Sequence, residues 1–340
     1  MAHGFILKKR FLLLAVLPIL LFLIFDWMLK NLGQPDLDVP IEILQDAPAY
    51  LESIGRNRFI GIMMLYFAAC LIVLGYYCWD VRQHVPRQSW IALAITALLL
   101  TVPVFQAVWI HQTAAETASR AYDQVGRDIV SQTMSFGEMQ GCLDVEGVVQ
   151  PDTRVLFWRC GENPVLSMRN NMGDVVNIFT AFVIAALVTG SISTLSSSSM
   201  QPREIVLSQM QRRLRFYAEL SGIVLTLGMV FTLTWMHWPM PFIADEARSG
   251  YTALVNSVLF EFGAFYSLLI VTFYLPVAAI QSHWILKAAQ LSIGHTNATP
   301  DAVSKWRLQY GLDTSHLKSI RTLLAVSAPS LASLAGGFLT

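Results

Sequence analysis

The 340-residue chain is 54% hydrophobic and only 14% charged, with 23 basic against 23 acidic side chains and a mean hydropathy of +0.51. A soluble globular domain carries about 25% charged residues, so the composition excludes one and points to lipid contact. Zero net charge excludes nucleic acid as the main partner, because binding phosphate needs a surplus of Lys and Arg.

Crossing about 30 Å of hydrocarbon takes about 20 mostly apolar residues, and the chain offers six such stretches. The first covers residues 11–29. It follows Lys8, Lys9 and Arg10 as a secretory signal would, but it runs on into Asp26, Trp27 and Met28 without a small-x-small cleavage site. It therefore reads as a retained signal anchor. The loop over residues 31–57 holds Pro35, Pro40, Pro48 and several acids, and reads as a surface segment with one short interfacial helix. The second and third spans cover residues 59–79 and 90–110. Cys70 and Cys78, in or beside the second, read as apolar packing residues.

Residues 111–172 are the one sizeable external element. Ala114, Ala118, Ala121, Val125 and Ile129 repeat at helical spacing, which predicts that the third span continues out of the membrane as an amphipathic helix. Residues 145–149 and 154–158 predict two short strands, joined by Gln150-Pro151-Asp152-Thr153 with proline at the favoured second position of a turn. Cys142 and Cys160 flank this hairpin and are expected to staple it with a disulfide in an oxidising compartment.

The fourth span covers residues 175–195, the fifth 216–238 and the sixth 253–280, where Pro276 predicts a tilt or kink. The fourth carries Ala181 with Ala185 and Ala186 with Gly190, then a serine- and threonine-rich end; the fifth adds Ser221, Gly222, Thr226 and Gly228. Small polar faces of this kind pack helices closely, or line a polar path where several copies meet around an axis. In the tail, Thr299-Pro300-Asp301 predicts a capped helix start and Gly311 its end. Leu317, Ile320, Leu324, Leu331 and Leu334 recur at helical intervals around Pro329, and residues 322–340 carry no charge. This predicts an interfacial or oligomer-packing helix, with a re-entrant or seventh span, or a loose tail, as the alternatives.

The expected organisation is residues 1–110 with spans one to three, an insertion over 111–172, spans four to six over 173–281, and a helical tail over 282–340. Alternating six spans places Arg82, Arg87, Arg203, Arg212, Arg213, Arg215, Lys287, Lys305 and Arg307 with the amino-terminal cations on one side, which the positive-inside rule makes cytoplasmic. The fold class expected is an all-α, six-transmembrane-helix bundle of a bacterial-type inner membrane, both termini cytoplasmic, with a small disulfide-stapled periplasmic helix-hairpin insertion.

Acids within hydrocarbon tend to face a cavity or the bundle interior. Asp26 and Glu219 lie near span ends, where they reach the interface, whereas Glu261 lies about two turns inside the sixth span with Asn256 and Ser257 nearby. Glu261 and Asn256 are the candidate ion or proton site. Arg212, Arg213 and Arg215 form a candidate lipid-facing basic cluster, although the positive-inside rule alone accounts for them. His84, His111, His237 and His283 sit in interfacial settings beside tryptophans, which an aromatic belt explains better than haem ligation. The chain has no HExxH, CxxC, phosphate loop, dinucleotide-binding glycine pattern or GxSxG elbow, so neither metal, cofactor nor enzymatic activity is expected. The expected role is a non-enzymatic structural, sensory or assembly subunit whose partners are the bilayer and other membrane subunits or copies of itself. The alternative is a homo-oligomeric channel or transporter using Glu261 and the polar faces of the fourth and fifth spans.

Overall fold

The computed structural model describes residues 9–32, 44–45, 49–113, 129, 154–155, 158–159, 164–196, 202–294, 299–312 and 322–332. A short 3-10 segment, Lys9–Ala15, leads into α1 (Val16–Leu32). There follow α2 (Ala49–His84), α3 (Arg87–Thr113), α4 (Pro164–Ser193), α5 (Arg203–His237), α6 (Asp245–Ile293), α7 (Pro300–Gln309) and α8 (Thr322–Ala332). Among the described residues six helices are long and apolar enough to cross a membrane, one for each expected span. The described residues are almost wholly helical, and the chain is a multi-pass membrane protein.

The helices run well past the apolar windows. At 1.5 Å per residue, the 49 residues of α6 reach about 74 Å, more than twice the hydrocarbon thickness. The excess extends beyond the bilayer, where the start of α5 and the end of α6 pack with α7 around Val206, Met210, Ile285, Ala289, Val303 and Trp306. Pro276 stays inside a continuous α6. Lipid-facing surfaces are recognisable from exposed large residues such as Leu65, Leu71 and Ile72 on α2 and Ile91, Leu98 and Leu99 on α3.

The central helix is α4, whose apolar positions Val183, Leu187, Val188 and Ile192 are all but inaccessible. Toward the end of the bundle where α2 gives way to α3, the core gathers Phe11, Leu93, Leu195, Leu214 and Phe273; this end also carries Arg82, Arg87, Arg203 and Lys287 and is here the basic end. The half toward the opposite end is aromatic, built on Phe59, Tyr66, Trp235, Trp238 and Phe242. There the Trp238 indole Nε1 donates to Glu52 Oε1 (3.1 Å), and Gly55 gives its ring room, since a Cβ at Gly55 would come within 2.8 Å of it. The α5–α6 connection is tied down by Gln45, whose backbone N–H donates to Phe242 O (2.9 Å) and whose side-chain amide donates to Pro241 O (3.0 Å).

The tail helix α7 starts as expected, the Ala302 N–H donating to Thr299 Oγ1 (3.3 Å), and Gly311 at φ +67° follows its end. The described part of the uncharged tail segment, α8, packs against α6. Ser330 Oγ donates to Gly263 O on α6 (3.0 Å), and the Ser330 backbone N–H donates to Ser267 Oγ (3.3 Å). At the other end of α8, Thr322 is hydrogen-bonded to Tyr274. The helix therefore lies along α6 from Tyr274 to Gly263, a length of about 16 Å at 1.5 Å per residue. Gly222 of α5 makes the seat, because a Cβ there would stand 2.3 Å from the Ala325 carbonyl oxygen.

The predicted hairpin is also re-registered. Arg154 pairs with Arg159 and Val155 with Trp158, so the chain reverses within the stretch read as a single second strand, and the antiparallel ladder is two residues long on each side. Cys142, Cys160 and the expected amphipathic extension beyond Thr113 lie outside the described residues, as does most of the loop over residues 31–57. Among the described residues Cys70 and Cys78 are free thiols.

Candidate functional site

The most concentrated polar structure among the described residues lies near the basic end, where α2, α4, α5 and α6 meet. Asp80, fully buried on α2, is its centre. Arg213 of α5 approaches it in a bidentate fork, Nε donating to Oδ1 at 2.8 Å and Nη2 to Oδ2 at 2.6 Å. One turn further along α5, the Tyr217 hydroxyl donates to Oδ2 (2.8 Å), and one turn further along α2, His84 Nδ1 lies 3.1 Å from Oδ1. Spacing of i to i+4 puts each of these pairs on one helix face. The carboxylate thus has partners on both oxygens, as a buried charge requires.

The fourth helix completes the arrangement through hydroxyls that face inward. Ser193 Oγ accepts from Arg213 Nη2 (3.2 Å) and donates to Gly190 O (2.6 Å). Thr194 Oγ1 donates to Ser191 O (2.6 Å) and accepts from the Gln281 amide of α6 (2.8 Å). Thr189, Ser191 and Ser196 are equally buried, each bonded to a carbonyl of the preceding turn. Gly190 lets the Tyr217 ring lie against α4, since a Cβ there would come within 2.3 Å of it. The Gln281 Oε1 oxygen is buried with no hydrogen-bond partner among the described residues.

The sequence-derived candidates are not brought together. Asn256 and Glu261 are both half-buried on α6, but five residues apart they point about 140° away from one another around the helix axis. The Asn256 Oδ1 atom is buried with no hydrogen-bond partner among the described residues. The basic cluster divides: Arg213 turns inward to Asp80 and is only 8% exposed, whereas Arg212 and Arg215 stay at the surface. The expectation that all three face lipid fails for Arg213, because the helix turn that exposes its neighbours carries it to the opposite face. His84 joins Asp80, and His237 Nδ1 contacts Leu233 O of its own helix (3.0 Å). Among the described residues no group of three potential metal ligands occurs.

Asp80 itself escaped the sequence reading because it lies just past the apolar run ending at Trp79. Its signal was position: it is an acid at the end that otherwise collects arginine and lysine. Chemically, the cluster is a neutralised ion pair with aromatic and hydroxyl support, fit to lock three helices in register. The chain matches no family model, no curated protein and no solved structure.

Proposed function

We propose that the protein is a non-enzymatic subunit of a bacterial-type inner membrane, structural, sensory or assembly in role, which acts through other membrane proteins. The observation that carries this reading is the use made of the α4 hydroxyls. They are spent inside one chain, on carbonyls of their own helix and on Arg213 and Gln281. A pore around a symmetry axis needs that polar face at the surface of the protomer, and this favours the subunit reading over the homo-oligomeric channel. The charge distribution supports N- and C-termini in the cytoplasm, with residues 111–172 as a periplasmic cap stapled by Cys142 and Cys160.

The test is the mass and composition of the particle extracted in mild detergent, by light scattering with mass spectrometry of co-purifying chains. Stoichiometric foreign subunits are the expected outcome. A closed homo-oligomer that conducts ions in liposomes, and whose flux falls with Glu261→Gln, overturns the proposal in favour of the channel.

A further inference from the structure

Arg212, Arg215 and Glu219 are charged groups of α5 that the buried lock does not use. They line one cleft of about 220 Å³ with Ser208, Gln211, Phe216 and Gly311. Among the described residues none of the three charged side chains is in an ion pair, in contrast to Arg213 one position away. Arginine and glutamate at Arg215 and Glu219 have the i, i+4 spacing that commonly pairs them, yet both turn into the cleft.

Position adds a second constraint. The cleft lies where the apolar part of α5 begins, just beyond Arg215, with the Gly311 turn after α7 at its watery edge. On its membrane side stands α8, whose Ala325 meets Gly222, one turn past Glu219. A volume of about 220 Å³ is smaller than the roughly 300–1,000 Å³ of sites for drug-sized molecules, and suits a single small group. The occupant needs an anionic centre for two guanidinium groups, a cation that donates hydrogen bonds to a carboxylate, and an apolar part to lie beside Phe216.

We propose that this cleft binds the headgroup of a phospholipid bearing a primary amine, the phosphate held by Arg212 and Arg215 and the ammonium by Glu219. Guanidinium matches a phosphate by paired N–H donors. An ammonium supplies the hydrogen-bonded cation that Glu219 does not find among the described side chains, which neither a glycerol headgroup, with no cation, nor a choline headgroup, with no N–H, can do. Phe216 lies against the lipid's glycerol and upper chain.

The experiment is lipid binding to the intact protein in nanodiscs of phosphatidylethanolamine, phosphatidylglycerol or phosphatidylcholine mixed into a neutral matrix, read by native mass spectrometry. The wild type is expected to retain phosphatidylethanolamine most strongly. Each of Arg212→Gln and Arg215→Gln should weaken that retention about fivefold, the share of one cation near a headgroup surface. Glu219→Gln should abolish the preference for phosphatidylethanolamine over phosphatidylglycerol while phosphate binding persists, a pattern that loss of folding does not produce. Equal retention of all three lipids, or retention unchanged in the arginine variants, overturns the proposal. Soluble glycerophosphoethanolamine that binds as tightly as the lipid also overturns it, because the site then takes a solute.

Discussion

Asp80 shows how a single buried charge organises the residues around it. Its carboxylate is held by Arg213, Tyr217 and His84, and removing one member of a buried pair leaves the other uncompensated. Asp80→Leu is therefore expected to destabilise the protein by about 3–5 kcal/mol, and adding Arg213→Met should recover most of that loss, since an apolar pair in place of a buried ion pair is often neutral. Thermal unfolding of the four proteins of the double-mutant cycle in one detergent checks this; additive losses would sink the assignment of Asp80 and Arg213 as one unit. Gly190 makes a second residue-scale case. Gly190→Ala drives a methyl group to 2.3 Å from the Tyr217 ring and should cost about 1–3 kcal/mol, the penalty of overpacking. Gly61→Ala on α2, where nothing lies within 4 Å, should instead be neutral or stabilising by about 0.5–1 kcal/mol.

At the scale of elements, the tail divides into a part that local chemistry specifies and a part that it does not. Thr299, Pro300 and Gly311 set both ends of α7 through capping and a left-handed turn, and these operate within a few residues. The placement of α8 depends on Gly222, Gly263 and Ser267, which lie more than 50 residues away and belong to other helices. An uncharged segment with Pro329 and several serines carries no local signal for the helix it meets, and Ser330 finds its partners on α6. In a background lacking the native cysteines, Ser267→Cys with Ser330→Cys should form a disulfide on mild oxidation, their hydroxyls being 2.8 Å apart. Adding Gly222→Val should reduce that yield several-fold, as its side chain displaces the Ala325 backbone. An undiminished yield would show that α8 does not depend on this seat. The hairpin illustrates the same limit: strand propensity marked the region, but the two-residue ladder follows a register that propensity does not carry.

For the whole molecule, the basic end gathers the arginines and lysines while α5, α6 and α7 extend beyond the bilayer at that same end. With this end in the cytoplasm, Ser304→Cys on the exposed side of α7 should resist a membrane-impermeant thiol reagent applied to intact spheroplasts and react after lysis. Labelling without lysis would invert the proposed orientation. Cys142 and Cys160, proposed for the opposite face, should resist alkylation in the unfolded, unreduced protein and react after reduction.

Six apolar helices and the α7 cap were legible in the sequence because each rests on local physics: the length of an apolar run, and a hydroxyl next to unsatisfied N–H groups. The partner of Asp80, the inward turn of Arg213 and the seat of α8 were decided by tertiary structure alone. Arg212, Arg213 and Arg215 look alike as text, and only the rotation of α5 against α2 and α4 sends one of them to a buried carboxylate and leaves two beside a cleft. Hydropathy reports how much of a helix avoids water; it does not report which face meets lipid and which meets protein, because both environments are apolar.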